Sequence, residues 1–359
     1  MPKVPAIQPI RYASWPPRLA QAVLLALLLA IGLGLALDVE SVIEGDEDAR
    51  MLKADRGDVA LYRAVITRMQ AGEGFYAANG VEQAARGYPT TPFVTWRLPT
   101  AATLIAMLGE QRAGMLLQAL AVFTVLFWIW VLLRAGLQRW TVLAASLLLG
   151  TGVIIALPMP APSLYLHEVW ASVLIALSLG LRQSAWPLAV LSGLAALAFR
   201  ELALPFVAVM GVCALLEGRR REALGWGAAI LVFALYLAVH AWQVSAHLGP
   251  DPNTSAGWLV FGGWRFVLET AQWNVVALIL GPWLVVIAMP LAVLGAGAWR
   301  HPLGTRLGVT VAVYTLGFMI AGRPDNTYWG VLCAPLVAVS LTFAPAGLRA
   351  LWKAARGRG

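Results

Sequence analysis

The run "LAQAVLLALLLAIGLGLAL" (residues 19–37) decides the fold class, because it contains no charged residue over its whole length. About 20 consecutive apolar residues are enough for a helix to cross the hydrocarbon core of a membrane. No small-residue cleavage site follows the run, so the sequence predicts a retained helix and not a cleaved signal peptide. The whole chain is 60% hydrophobic and only 12% charged, whereas soluble domains are about one quarter charged. The composition therefore predicts a polytopic membrane protein.

Apolar runs of similar length recur along the chain and predict about ten transmembrane helices. The fold class predicted is an all-α polytopic membrane protein with interfacial helices in its first outer loop, built as a single transmembrane domain over residues 1–359. The predicted spans are 19–37, 113–136, 139–158, 163–182, 185–199, 202–217, 224–247, 274–298, 305–322 and 328–348.

The basic residues indicate how the chain is oriented. They concentrate in segments such as "GRRRE" (218–222) and "WKAARGRG" (352–359), whereas most acidic residues fall in loops predicted on the opposite side. Because cytoplasmic loops carry the excess of Lys and Arg, both termini are predicted to be cytoplasmic, and the basic tail is expected to contact anionic lipid headgroups. The net charge of +8 is thus a topology signal, and a nucleic-acid partner is not expected.

The first outer loop, residues 38–110, is unusually polar for this chain. Its segment "ADRGDVALYRAVITRMQAGEG" (54–74) carries apolar residues at helical spacing, which predicts an amphipathic helix at the membrane interface that ends near Gly72 and Gly74. An extended, proline-punctuated segment and a short apolar helix over 100–109 are predicted to follow. The loop therefore holds elements that can cover the outer face of the helix bundle.

Four aspartates of this loop are candidate catalytic residues. Asp55 and Asp58 stand at the start of the amphipathic helix, where a carboxylate caps free backbone amides. A cap uses one carboxylate, which leaves the second free to face a cleft beside Tyr62. Asp46 and Asp48 form a second acidic pair in "GDEDAR" (45–50). Asp58 is the first choice for the catalytic carboxylate and Asp46 the second.

Asp58, Tyr62, "AGEGFY" (71–76) and "YPTTPFVTWRLP" (88–99) together resemble the first outer loop of GT-C glycosyltransferases. These polytopic enzymes use polyprenyl-phosphate sugars, and they include lipid A aminoarabinose transferases and polyprenol-dependent mannosyltransferases. Members typically carry an acidic residue four positions before a tyrosine, followed by a helix that ends in glycine and an aromatic residue. The detailed resemblance covers about residues 54–99; here a second acidic cluster, residues 45–50, intervenes after the first span.

The resemblance implies sugar transfer from a polyprenyl-phosphate donor to a lipid, glycan or protein acceptor, at the periplasmic face of the bacterial inner membrane. A loop carboxylate would act as general base, and cations would stabilise the leaving phosphate. A divalent cation, Mg²⁺ or Mn²⁺, is an open expectation, because loop carboxylates supply the oxygen ligands that hard ions prefer.

Other polar residues on the predicted outer face are candidates for binding. The sequence also leaves structural alternatives open, namely an interfacial arginine for Arg97, an interfacial polar residue for His167, an ion pair at a helix turn for "FREL" (199–202), and an ordinary turn for "GRPDNTYW" (322–329). The candidates for the donor phosphate are Arg97, His167, Arg200 and Arg323. The candidates for other substrate contacts are Tyr62, Glu168, Glu201, Asp325 and Asn326.

Two further function classes compete with the transferase. A lipid or small-solute transporter commonly shows internal repeats and charges near the middle of the membrane, and neither is evident here. A non-catalytic envelope assembly protein would tolerate neutral residues at Asp58 and at the outer arginines. Cys213 and Cys333 lie within apolar runs, and neither a disulfide nor a thiolate metal site is expected.

Overall fold

The fold is all-helical, as the sequence predicts. The computed structural model describes residues 10–37, 39, 41–42, 57–140, 142, 145, 161–274, 277 and 281–357. Within these residues the chain forms helices and loops, and its only β-pairing consists of two isolated bridges, between Ile10 and Trp299 and between Thr91 and Thr254. Asp46, Asp48 and Asp55 lie outside the described residues.

Fourteen α-helices are numbered here in chain order among the described residues. They are α1 (Pro17–Ala36), α2 (Asp58–Gln70), α3 (Phe75–Ala85), α4 (Thr100–Leu108), α5 (Glu110–Arg134), α6 (His167–Leu181), α7 (Trp186–Phe199), α8 (Leu204–Leu216), α9 (Arg220–Ala246), α10 (Gly263–Ala271), α11 (Trp283–Ala298), α12 (Pro302–Ile320), α13 (Ala334–Leu341) and α14 (Ala344–Ala355). Short 3-10 helices lie between them, at Arg11–Ser14, Phe93–Thr95, Pro162–Tyr165, Glu201–Ala203 and Pro324–Leu332.

Four of the described helices, α1, α5, α9 and α12, are long and apolar enough to cross a membrane. A fifth crossing results if α13 and α14, which meet at an angle of 51°, count as one broken span. These helices support a helical membrane protein, but the predicted count of ten crossings is not confirmed. The predicted span 139–158 lies almost entirely outside the described residues.

Several predicted spans form shorter helices than expected. Every residue of α6 from His167 to Gly180 is buried, and a helix enclosed by protein need not match the thickness of the lipid. The predicted span 328–348 is divided among a 3-10 helix, α13 and α14, with Pro335 and Pro345 in the first turns of α13 and α14. Proline lacks an N–H and is tolerated in a first turn, so it favours new helix starts over one continuous helix.

The segment predicted as the first outer loop contains the predicted amphipathic helix, α2, and the predicted short apolar helix, α4. The helix α2 ends at Gln70, just before Gly72, which has φ of +100°. The structure adds α3 between them, a helix that the sequence analysis did not predict. Val59, Leu61, Val65 and Ile66 of α2 are buried, so its apolar stripe faces the bundle.

The helix α6 links the two ends of the molecule. Its first residue, His167, packs edge-on against Tyr62 of α2, with ring centroids 5.1 Å apart. Its last residue precedes Arg182, which pairs with Glu222 at the start of α9. A helix of this length spans about 22 Å. The polar residues around His167 and the charged residues around Arg182 therefore lie at opposite ends of the bundle.

The charges at the end away from α2 form a connected group, and its inner part is called the ionic cluster here. The members of the cluster are Arg182, Glu217, Glu222 and Arg306. Arg219, which is about half exposed, also contacts Glu217 and Glu222. Arg306 Nε lies 3.1 Å from Glu217, and its Nη1 lies 2.9 Å from Glu222. The cluster joins the ends of α6, α8, α9 and α12.

The 3-10 helix Pro324–Leu332 lies tightly against α10. A Cβ atom on Gly330 would overlap the carbonyl oxygen of Thr270, so this contact requires glycine. Trp273 Nε1 also donates a hydrogen bond to Thr327 Oγ1 at 2.8 Å. The 3-10 helix is therefore held in place along its length.

Candidate functional site

A polar cavity of about 360 Å³ lies where α2 and α3 cover the bundle. Its wall includes Asp58 and Tyr62 from α2, Arg97 from the segment before α4, and the stretch from Arg323 to Tyr328. Six of the predicted site residues line this cavity: Asp58, Tyr62, Arg97, Arg323, Asp325 and Asn326. Residues far apart in the sequence therefore meet in one space of the size that small-molecule sites have.

Asp58 is held by a tyrosine hydroxyl at the start of α2. The Tyr62 hydroxyl lies 3.4 Å from Asp58 Oδ2 and donates to it, and Tyr88 is a second tyrosine of the cavity wall. Asp58 is the first residue of α2, directly after Gly57 at the N-cap position. It lines the polar cavity together with Tyr62.

Arg97 connects the two sides of the cavity. Its Nε donates to the Tyr62 hydroxyl at 3.0 Å, and its Nη2 donates to the Tyr328 hydroxyl at 2.6 Å. Its Nη2 is also 4.0 Å from Asp58 Oδ2, and both side chains are about one fifth exposed. Arg97 is thus a fixed cation beside a carboxylate, with part of each group still facing the cavity.

The tyrosines next to Asp58 remain protonated at neutral pH. Burial, together with the nearby Asp58, raises the pKa of Tyr62 above its ordinary value, although Arg97 opposes the shift. Burial and the nearby charge of Asp58 likewise raise the pKa of Tyr88. Both phenols are therefore neutral groups beside the carboxylate.

Two residues of the cavity wall carry buried polar atoms without partners. Asn326 Nδ2 and Thr95 Oγ1 are buried and have no hydrogen-bond partner among the residues that the structure describes. Leaving a buried polar atom unpaired costs about 1–3 kcal/mol. The residues that carry these atoms belong to the cavity wall, which makes the cavity a candidate site for a polar ligand.

The unpredicted helix α3 contributes two carboxamides to the cavity wall. Asn79 and Gln83 lie one turn apart and are almost fully buried, and Asn79 Nδ2 donates to Gln83 Oε1 at 3.0 Å. Carboxamides both donate and accept hydrogen bonds. The sequence signal for them was weak, because "FYAANGVEQAA" (75–85) follows two glycines and contains a third, and glycine disfavours a helix.

Arg323 and Asp325 lie at the rim of the cavity and pair with each other. Arg323 Nε and Nη2 contact the two carboxylate oxygens of Asp325 at 2.9 and 2.5 Å. Arg323 Nη1 donates to the carbonyl oxygen of Ala256 at 3.2 Å. All three nitrogens of the Arg323 guanidinium thus already have a protein partner.

The other four predicted residues, His167, Glu168, Arg200 and Glu201, are absent from the wall of the polar cavity. Arg200 Nε lies 2.6 Å from Glu168 Oε1, and its Nη1 lies 3.0 Å from Glu201 Oε1. Arg200 and Glu168 are almost fully buried, at the break between α7 and the next helical turn. This placement fits the structural alternative for Arg200, an ion pair at a helix turn, and does not give it access to a ligand in the cavity.

A second cavity, of about 170 Å³, lies between α11, α12 and α13. Its lining is almost entirely apolar and includes Val285, Met289, Phe318 and Val337. The 3-10 helix Pro324–Leu332 borders both spaces, because Asn326 and Tyr328 line the polar cavity and Gly330 lines the apolar one. A polar and an apolar compartment are thus separated by a single short element.

No group of three or more metal-ligating side chains occurs among the residues that the structure describes. The carboxylates predicted as ligands for Mg²⁺ or Mn²⁺ include Asp46, Asp48 and Asp55, which lie outside those residues. Comparison of the chain with protein-family models, with curated proteins and with solved structures gives no match. The site is therefore interpreted from its own geometry.

Proposed function

We propose that the protein is a GT-C-type glycosyltransferase that moves a sugar from a polyprenyl-phosphate donor to an acceptor in the polar cavity. The observation that carries the proposal is the joint position of Asp58, Arg97 and the two residues with unpartnered buried atoms, Asn326 and Thr95, in the wall of one cavity. The adjoining apolar cavity supports a ligand with a polar head and an apolar tail. A lipid-linked sugar phosphate has both parts.

In this proposal Asp58 is the general base and Arg97 binds the donor phosphate. The carboxylate of Asp58 takes the proton from the acceptor hydroxyl, whose oxygen forms the new bond to the anomeric carbon. The bond between that carbon and the phosphate oxygen breaks, and its electron pair leaves with the phosphate. Arg97 stabilises the added negative charge because a guanidinium matches phosphate oxygens in geometry and charge.

The remaining polar groups would position the sugar. Tyr62 holds the Asp58 carboxylate in place, while Asn79, Gln83 and Asn326 are the carboxamides of the cavity wall that would lie beside the sugar. Neutral amides suit this task, since a hydroxyl also both donates and accepts.

The proposal includes the finer predictions from the sequence. The chain would lie in the bacterial inner membrane with about ten crossings, cytoplasmic termini and the polar cavity on the periplasmic face. The acceptor would be a lipid, a glycan or a protein. A requirement for Mg²⁺ or Mn²⁺ stays a prediction.

The test is a transfer assay on the full chain in lipid nanodiscs. The probes are synthetic polyprenyl-phosphate mannose and polyprenyl-phosphate arabinose, with a bacterial envelope extract as the source of acceptors. Mass spectrometry of the lipids measures the release of free polyprenyl phosphate. Asp58→Asn is expected to lower this rate by about 10²–10⁴-fold, the usual contribution of a general base, while the protein stays folded.

The matched control is Glu73→Gln, because Glu73 pairs with Arg68 on the surface and does not line the cavity. This variant is expected to keep wild-type activity. Full activity of Asp58→Asn would remove Asp58 as the base. If the intact donor instead crosses a vesicle membrane and no polyprenyl phosphate is released, the protein is a transporter and not a transferase.

A further inference from the structure

A short exposed apolar segment, residues 259–261, lies beside the mouth of the polar cavity and is called the apolar finger here. Leu259 is 82% exposed and Phe261 is 77% exposed. We propose that the apolar finger inserts into the lipid leaflet at the cavity end of the bundle and holds the cavity mouth at the membrane surface. This inference does not depend on the proposed sugar transfer.

The backbone attaches the finger to the end of a membrane-span candidate. The amide of Gly322 donates to the carbonyl oxygen of Val260 at 2.7 Å, and the amide of Gly262 donates to that of Met319 at 3.1 Å. Both contacts are made with the last turn of α12 or the residues just after it. The finger therefore lies at the level where an apolar helix ends.

A close glycine contact fixes this attachment. A Cβ atom on Gly262 would lie 2.9 Å from the Cα of Gly322, and one on Gly322 would lie 2.6 Å from the Cα of Gly262. Both distances are too short for a side chain, so the two backbones can touch only because both residues are glycine. The finger is consequently held against the end of α12. Its backbone cannot move to bury Leu259 and Phe261.

The exposed apolar surface continues from the finger onto two span candidates. Trp264, just after the finger, donates from Nε1 to the carbonyl oxygen of Ala30 in α1 at 3.0 Å. Near this contact, Leu33 on α1 and Leu316 and Ile320 on α12 are 50–58% exposed. These side chains face outward from helices that can cross a membrane, so the lipid that covers them also reaches the finger.

The loop that carries the finger changes from polar to apolar along its length. Asp251 and Asn253 are exposed polar residues of the same loop, whereas Leu259 and Phe261 present apolar side chains. Apolar side chains at an interface insert into the boundary between headgroups and acyl chains. Because Trp258 and Ser255 line the polar cavity, inserting the finger places that wall at the lipid surface. A lipid headgroup could then enter the cavity without leaving the membrane.

Site-specific fluorescence in liposomes tests this inference. Leu259→Cys and Phe261→Cys are labelled with the environment-sensitive dye NBD and reconstituted in phosphatidylcholine and phosphatidylglycerol. Asp251→Cys is the matched control on the same loop, and the wild-type chain, whose cysteines are buried, gives the labelling background. Lipids with a nitroxide near the headgroup report contact with lipid, and iodide reports contact with water.

The expected result is a blue-shifted emission at positions 259 and 261, quenched by the nitroxide lipid and protected from iodide. The label at position 251 is expected to show the opposite pattern. Iodide quenching at 259 and 261 equal to that at 251 would place the finger in water and overturn the inference. Protection from both quenchers would mean that protein covers the finger, which overturns it as well.

Discussion

The two ends of the bundle contain the same types of charged residue but arrange them differently. In the ionic cluster, Arg306 and Glu222 are buried and lie 2.9 Å apart. In the polar cavity, Arg97 and Asp58 are each about one fifth exposed and lie 4.0 Å apart. The charges of the cluster neutralise one another, whereas those of the cavity still face open space.

This difference separates a structural role from a functional one. Burying ions is costly, and close pairing offsets that cost only when the geometry is good. In the ionic cluster the charges are closely paired, and the pairs join the ends of four helices. The charges of the polar cavity are held by tyrosine hydroxyls and leave room for a ligand, so we expect mutations there to change activity more than stability.

The largest effect on stability is expected from Glu222→Gln. This substitution keeps the size of the side chain but leaves Arg182 and Arg306 buried with too little negative charge. Losing one partner of a buried ion pair costs about 3–5 kcal/mol. Unfolding of the detergent-solubilised protein, followed by tryptophan fluorescence during denaturant titration, measures the change. Glu73→Gln, which removes a surface partner of Arg68, is the control, and an equal loss in both variants would contradict a special role for the cluster.

A smaller effect, and on activity, is expected from Arg97→Lys. The lysine keeps the positive charge but cannot contact the Tyr62 and Tyr328 hydroxyls with one planar fork. A hydrogen bond to a charged group contributes about 1.5–3 kcal/mol, so kcat/KM for the polyprenyl-phosphate donor should fall by about 10–100-fold. Arg68→Lys on the outer surface of α2 is the control. If Arg97→Lys instead destabilises the fold as Glu222→Gln does and leaves kcat/KM unchanged, the charges of the two ends share one structural role.

The smallest effect is expected from Arg323→Gln. Its ion pair with Asp325 lies at the rim of the cavity, where Asp325 is about half exposed, and exposed pairs contribute about 1 kcal/mol or less. We expect little change in unfolding free energy and a loss of activity no larger than about fivefold, the factor that corresponds to this energy. A loss as large as that of Arg97→Lys would give Arg323 the phosphate-binding role predicted from the sequence.

The sequence predicted two helices, α2 and α4, and the concentration of polar residues on one side of the bundle, because both follow from local patterns. The apolar spacing from Leu61 to Met69 is enough to define α2. The distribution of Lys and Arg was enough to place Asp58, Arg97 and Arg323 on one side, and the structure places all three at one cavity.

Other features depend on contacts between distant parts of the chain and have no local signature. Arg97 and Tyr328 are separated by 231 positions, and nothing near either residue indicates the other. Arg200 carries a charge in an apolar run, which suggested a binding role, but its partner Glu168 comes from a different helix. Helix α3 was missed because Gly72 and Gly74 precede it and signalled the end of a helix, and its carboxamides were missed with it.

The close contact of Gly330 with α10 has a consequence for both compartments of the proposed site. The 3-10 helix that carries Gly330 presents Asn326 and Tyr328 to the polar cavity, and Gly330 itself borders the apolar one. A single added methyl group at this position would push the helix away from Thr270. Such a shift would alter headgroup recognition and tail accommodation together, although position 330 touches neither Asp58 nor Arg97.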